Sequence, residues 1–199
     1  YWEDVGTQSS YHAVHASVLN RQVEVELDGY EVSPGIWVGE GAEVDADAVI
    51  TGPVFIGRNA KVEGGSELSD STVLGDNVIV KSGAQLRRAV VHDNAFVGPQ
   101  AMLRGCVVGK HTDVMRAVRI EEGAVVGESC TIEQEAFLSS GVLVYPSKTI
   151  EAGAVVTSGV RWGSRGGGGV CGPAGGGGRG QGRVRDGERS QGPGRGGTR

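Results

Sequence analysis

Large apolar side chains are the first thing this sequence is short of: its 199 residues include three Trp, four Tyr and three Phe. A sandwich or helical bundle with a core built on big side chains is therefore a poor fit. Cysteine is equally sparse. Cys106, Cys130 and Cys171 are odd in number and form no C-x-x-C pair, so neither a disulfide framework nor a zinc ribbon is encoded. The expectation for Cys106 and Cys130 is that of small buried hydrophobes. No run approaches the roughly 18 apolar residues of a membrane span, and there is no basic, apolar, small-residue pattern of a secretory leader. A cytoplasmic protein with no membrane partner is the expectation.

What is abundant is glycine, 36 residues, and charge of unequal placement. Residues 1–165 carry 13 Lys and Arg against 22 Asp and Glu, a balance of −9, whereas 166–199 carry six Arg against two acids, a balance of +4. The acidic body argues against nucleic acid as a partner. In the tail, 16 of 34 residues are Gly and almost nothing is apolar, so residues 162–199 are expected to be a disordered Gly/Arg-rich segment. Its Gly, Arg, Pro and Ala also fit a shifted reading frame in GC-rich DNA.

The informative feature is a repeat. Counting by six from Val38 gives Val44, Ile50, Ile56, Val62, Leu68, Leu74, Val80 and Leu86; a step of five leads to Val91, Val97 and Leu103. A second step of five leads to Val108, Val114, Ile120, Val126, Ile132, Leu138, Val144, Ile150 and Val156, so that all 21 positions are aliphatic. Four residues after each comes a small or β-branched side chain, as in Ala42, Ala48, Ala60, Val90, Ala95, Val107 and Ala124, with Lys148 the one exception. Glycine often follows the aliphatic residue, as at Gly39, Gly57, Gly75, Gly98, Gly109 and Gly127.

Period six matches neither a helix nor simple alternation. It matches a coil of three short strands joined by tight corners, with one aliphatic residue per strand pointing inward. Three hexads make a turn of 18 residues, so 31–161 should form a parallel β-helix of about seven coils, on the order of 30–35 Å long. The fold class expected is all-β, with a short N-terminal helix and a disordered C-terminal tail. Each coil of such a stack contacts only its neighbours, which makes capping, docking or self-association a requirement. A homo-oligomer is expected.

Ahead of the repeat stands Tyr1-Trp2-Glu3-Asp4-Val5-Gly6-Thr7, followed by Ser10-Tyr11. Thr7 is placed to cap a helix whose Tyr11, Val14, Val18 and Leu19 share an apolar face. The motif resembles the segment that closes the catalytic domain of sugar nucleotidyltransferases. Together with Gly35-Ile36-Trp37-Val38-Gly39, Val90-Val91-His92-Asp93-Asn94, Gly105-Cys106-Val107-Val108-Gly109 and Trp162-Gly163-Ser164-Arg165-Gly166, it is similar across residues 1–166 to bacterial mannose-1-phosphate guanylyltransferases.

That resemblance implies left-handed winding, and a parent enzyme that makes GDP-mannose from mannose-1-phosphate and GTP. It also implies that Asp4 is one of two carboxylates holding the catalytic Mg²⁺, and that the helix leads from the catalytic domain to the β-helix. Residues 1–30 would be the end of the nucleotidyltransferase domain plus that helix. The Gly-rich loop that wraps the triphosphate, the other metal-binding Asp and the sugar-binding residues have no counterpart in these 199 residues. The chain is therefore expected to be a fragment, inactive alone, whose partner is the missing nucleotidyltransferase domain.

Two enzymatic alternatives use the same prism. An acyltransferase would need a histidine base, and His92 and His111 are the candidates inside the repeat; His92 is expected on the outer face as a solvated side chain. A zinc hydrolase would need three convergent imidazoles, but His12 and His15 belong to the helical connection. Finally, Arg87, Arg88, Arg104, Arg116 and Arg119 form either a cationic stripe for phosphate or ordinary ion pairs between coils.

Overall fold

The computed structural model describes residues 6–160 and, as backbone, the strand Val184–Asp186. Each aliphatic position ends, or lies within, a strand of two or three residues. The strands stack into three parallel sheets of seven, one strand per sheet per coil. We call these the first, second and third faces. On the first face Ile36–Val38, Val54–Ile56, Thr72–Leu74, Val90–Val91, Val107–Val108, Val125–Val126 and Leu143–Val144 lie in register. The second face begins with Glu43–Val44 and the third with Val49–Ile50. The result is a left-handed parallel β-helix of about seven turns.

Backbone hydrogen bonds run from coil to coil, as in Gly57 N–H to the Leu74 carbonyl at 2.8 Å and Glu121 N–H to the Leu138 carbonyl at 3.0 Å. Because every strand between the end coils has a neighbour directly above and below, few main-chain groups there are left without partners. Of the 21 aliphatic positions, those from Ile56 to Val156 are buried, whereas Val38, Val44 and Ile50 remain partly exposed. These three belong to the first coil, which has no coil beneath it.

The column of small residues departs from expectation at the two five-residue steps. Side chains alternate in and out along a strand, so the inward small residue sits two before the aliphatic one. That position falls on Ala89 and Cys106, both 0% exposed, and not on Val90 and Val107. Val90 and Val107 instead point outward, in register with Val73 and Val125. Lys148, the exception in the column, is 5% exposed.

The glycines that follow the aliphatic residue on the first face lie where successive coils approach closely. A Cβ on Gly57 would meet the Gly75 carbonyl at 2.5 Å, and one on Gly109 would meet Gly127 at 2.6 Å.

The parallel winding starts at Ile36. Before it, β1 (Tyr30–Ser33) lies antiparallel on Ile36–Val38, turned by Pro34 and by Gly35 at φ +75°. Proline followed by a glycine of positive φ is the chemistry of a tight reversal. The helix α1 (Gln8–Leu19) is capped as read from the sequence: Ser10 N–H donates to Thr7 Oγ1 and Thr7 N–H to Ser10 Oγ, both at 3.1 Å. Of 162–199, only Val184–Asp186 is described; its backbone pairs antiparallel with Lys148–Ile150, a pairing not expected from the sequence. The rest of that segment lies outside the described residues.

Candidate functional site

The outward column of the first face is apolar throughout: Trp37, Phe55, Val73, Val90, Val107, Val125 and Leu143. The helix lies along this column. At its start, Gln8 Nε2 donates to the Ala124 carbonyl at 3.1 Å; at its end, Val14, Val18 and Leu19 border a small cavity with Phe55 and Val73. Twelve helical residues span about 18 Å, and the four coil-to-coil steps from Val125 to Phe55 span about 19 Å. The lengths agree, so α1 runs back along the prism and buries Val90 and Val107 to 2% and 9% exposure. Arg21, just past the helix, sits 5.7 Å from the Trp37 ring centroid.

Halfway along the seam, Tyr11 gathers three imidazoles. Its hydroxyl shares a hydrogen bond of 3.1 Å with His92 Nε2, the two rings stacking with centroids 6.3 Å apart. His15 packs edge-on at 4.5 Å and its Nδ1–H donates to the Tyr11 carbonyl at 2.8 Å. His12 stands 6.4 Å away, its Nε2 shut off from solvent with no hydrogen-bond partner. Burial lowers the pKa of both His12 and His92 and raises that of Tyr11; His15 and Arg88 push His12 further down. His92 therefore lies on the outer face as expected but is half-buried, because the helix packs against it. His111 occupies a corner at φ +54° and is exposed.

The arginines separate into groups. Arg116 pairs with Glu135 at 3.0 Å, and Arg119 stands in register with Met102 on the third face. Arg87 and Arg104 lie directly opposite one another in adjacent strands, with Arg88 at the corner next to them. These three line a groove of about 840 Å³ between the third face and the first. Arg87 is paired with Asp70, and Arg88 reaches past Gly105 to Glu122 at 3.1 Å. Elsewhere the charges pair one coil apart, as in Lys61 with Glu43 at 3.0 Å and Lys110 with Asp93 at 2.8 Å.

Asp4 lies outside the described residues. Among the described residues no group of three or more His, Cys, Asp or Glu is arranged to hold a metal ion. The Cys106 thiol is fully buried and pushed up to about 12 by that burial, and Cys130 is also buried, its Sγ 3.2 Å from the Tyr145 carbonyl. Both are inert packing residues, as expected. No helix among the described residues is long and apolar enough to cross a membrane.

Residues 50–159 match the family model for the GMPPB C-terminal domain. No curated protein matches the chain. Among solved structures, it is similar to the BC4754 gene product of Bacillus cereus, provisionally described as an acetyltransferase, with 22% identity, 61% of this chain and 75% of that one covered, and a TM-score of 0.56. It is also similar to perosamine N-acetyltransferase from Caulobacter crescentus, with 18% identity, 60% and 52% covered, and a TM-score of 0.39. A hexapeptide transferase family protein from Anaplasma phagocytophilum follows, with 23% identity, 55% and 72% covered, and a TM-score of 0.38. The first of these likenesses is one of fold alone.

Proposed function

Because the chain belongs to the GMPPB C-terminal domain family, the hexapeptide-repeat region of GMPPB-like nucleotidyltransferases, we propose that it is the β-helix portion of an enzyme making GDP-mannose from mannose-1-phosphate and GTP. Its role there is to position the catalytic domain, and to support self-association. The observation that carries this reading is the seating of α1. The helix is fixed on the prism at Gln8, Tyr11, Val14 and Val18, and immediately before it stands the segment 1–7, which resembles the end of a nucleotidyltransferase catalytic domain. A prism gripping α1 over four coil steps would hold a domain joined at the start of that helix in one orientation.

In this reading Asp4 would help hold a Mg²⁺ ion, which would supply positive charge to offset that of the reacting phosphates. The acyltransferase alternative gains no support from the histidines, since His92 is held against Tyr11 beneath the helix and His111 stands exposed at a corner.

The test is pyrophosphate release from GTP and mannose-1-phosphate in the presence of Mg²⁺. The 199-residue chain is expected to show none. Joined to a nucleotidyltransferase domain, it should support turnover that Asp4→Ala lowers by at least tenfold. Robust release by the chain alone, or full activity of the Asp4→Ala enzyme, overturns the proposal.

A further inference from the structure

We propose that the groove at the corner between the third and first faces is a binding site for a phosphate-bearing small molecule, with Arg104, Arg87 and Arg88 as its anchors. Arg87 and Arg104 are stacked in register on neighbouring parallel strands. Like charges opposite one another in a sheet repel; Arg87 is matched by Asp70, while the Arg104 guanidinium makes no ion pair or hydrogen bond among the described residues, although Glu121 follows it in register along the same groove. An unpaired guanidinium facing a polar groove of about 840 Å³ is a standing donor array for an anion.

The partners Arg87 and Arg88 already have do not close the site. Their ion pairs are exposed, with 66% of the Arg87 side chain and 52% of the Arg88 side chain open to water. Pairs of that kind contribute little, so an incoming phosphate can compete for either guanidinium. The floor is Gly105, at φ +49°, where a Cβ would approach Glu122 Cγ at 3.0 Å. A side chain there would fill the gap that Arg88 spans to reach Glu122.

Arg88, Gly105 and Glu122 also border a second cavity of about 420 Å³, whose far wall is α1 between Gln8 and Ala16. The first turn of a helix is its electropositive end. His12 lines this cavity, with its Nε2 turned away from solvent. The groove thus continues under α1, which connects the proposed site to the element that leads towards residues 1–7. Carboxylates of Glu67 and Glu121 on the walls are acceptors suited to hydroxyl groups on whatever carries the phosphate.

The site is independent of the nucleotidyltransferase reading, since it is built entirely within the described coils and its test needs no turnover. The experiment is calorimetric titration and thermal melting of the full chain with inorganic phosphate and with glucose 6-phosphate, against sodium chloride at matched ionic strength. The expected result is saturable binding and a rise in Tm with both phosphate probes and not with chloride. Arg104→Gln should weaken binding at least tenfold while leaving the basal Tm unchanged or slightly raised, because it removes one of two stacked charges. Arg116→Gln, on a different corner, should bind as the parent does. Tighter binding of glucose 6-phosphate assigns the wall carboxylates to its hydroxyls; equal binding assigns the groove to the phosphate group alone. A response to phosphate no larger than to chloride, or undiminished binding by Arg104→Gln, overturns the proposal.

Discussion

On the first face the outward residue of each strand is Trp37, Phe55, Val73, Val90, Val107, Val125 and Leu143; on the second face it is Glu43, Lys61, Ile79, Phe96, Asp113, Thr131 and Thr149. Both faces turn an aliphatic residue inward at the next position, and both stack with the same coil-to-coil hydrogen bonding. They differ only in what they show to the outside. One is apolar along its length and carries a helix; the other is mixed and has cross-coil ion pairs such as Lys61 with Glu43. The inward rule therefore sets the fold, and the outward rule sets what docks on it.

The largest expected effect comes from breaking the inward rule, which the faces share. Ile120 is fully buried between coils, and Ile120→Ala should cost about 2–5 kcal/mol. Ile50 occupies the equivalent position in the first coil, where one side is open. Ile50→Ala should cost less than half as much. Denaturant unfolding of both variants measures the difference, and equal costs would mean that the first coil is covered by something else in solution.

Breaking the outward rule should cost less and should discriminate between the faces. Val90 is buried under α1, and Val90→Ala removes about 1.5 kcal/mol of apolar burial. Thr131→Ala, on the uncovered second face, should lie within about 0.5 kcal/mol of the parent. The same unfolding measurement reads both, and a Val90 variant as stable as the Thr131 variant would dissociate the helix from the first face.

Smallest is the effect of pH, which also belongs to the covered face. His12 and His92 are held below the usual imidazole value of 6.5, first by burial. His92 also feels Asp93, which opposes the shift, and Lys110 and His15, which reinforce it; His12 feels His15 and Arg88. Their neutral forms are favoured in the folded state, so their contribution is complete above about pH 6.5 and is lost as pH falls through the depressed folded values. The Tm should fall between pH 7.5 and 5.5, and the double variant His12→Gln, His92→Gln should flatten that slope. A slope unchanged in the double variant would place the titration elsewhere.

Most of the inward rule was legible in the sequence, because an aliphatic residue recurs every six positions whatever the face. The small column was legible too, except at Ala89 and Cys106, where a step of five hides whether the missing residue comes before or after the corner. The apolar outer column is much harder to see, although its signal is present. Trp37, Phe55, Val73, Val90, Val107, Val125 and Leu143 recur once per coil, every 17 or 18 residues, and a count by six dilutes them among the polar outer residues of the other two faces. The meeting of Tyr11 with His92 lay further out of reach, since it depends on α1 folding back over coils that follow it by some 80 residues. The opposition of Arg87 and Arg104 depends likewise on the 17-residue coil that the shortened step creates.

The central claim is that the prism serves a nucleotidyltransferase by holding α1 on its first face. It is tested most directly by pyrophosphate release from GTP and mannose-1-phosphate, with the chain joined to a nucleotidyltransferase domain, in two variants that each place a carboxylate on an outward strand position. Val107→Asp puts the charge beneath α1, and Ile79→Asp puts it on the open second face beside Lys61. The account predicts at least a tenfold loss of activity in the first, with the coils still folded, and near-parental activity in the second. Equal activity of the two enzymes would contradict it.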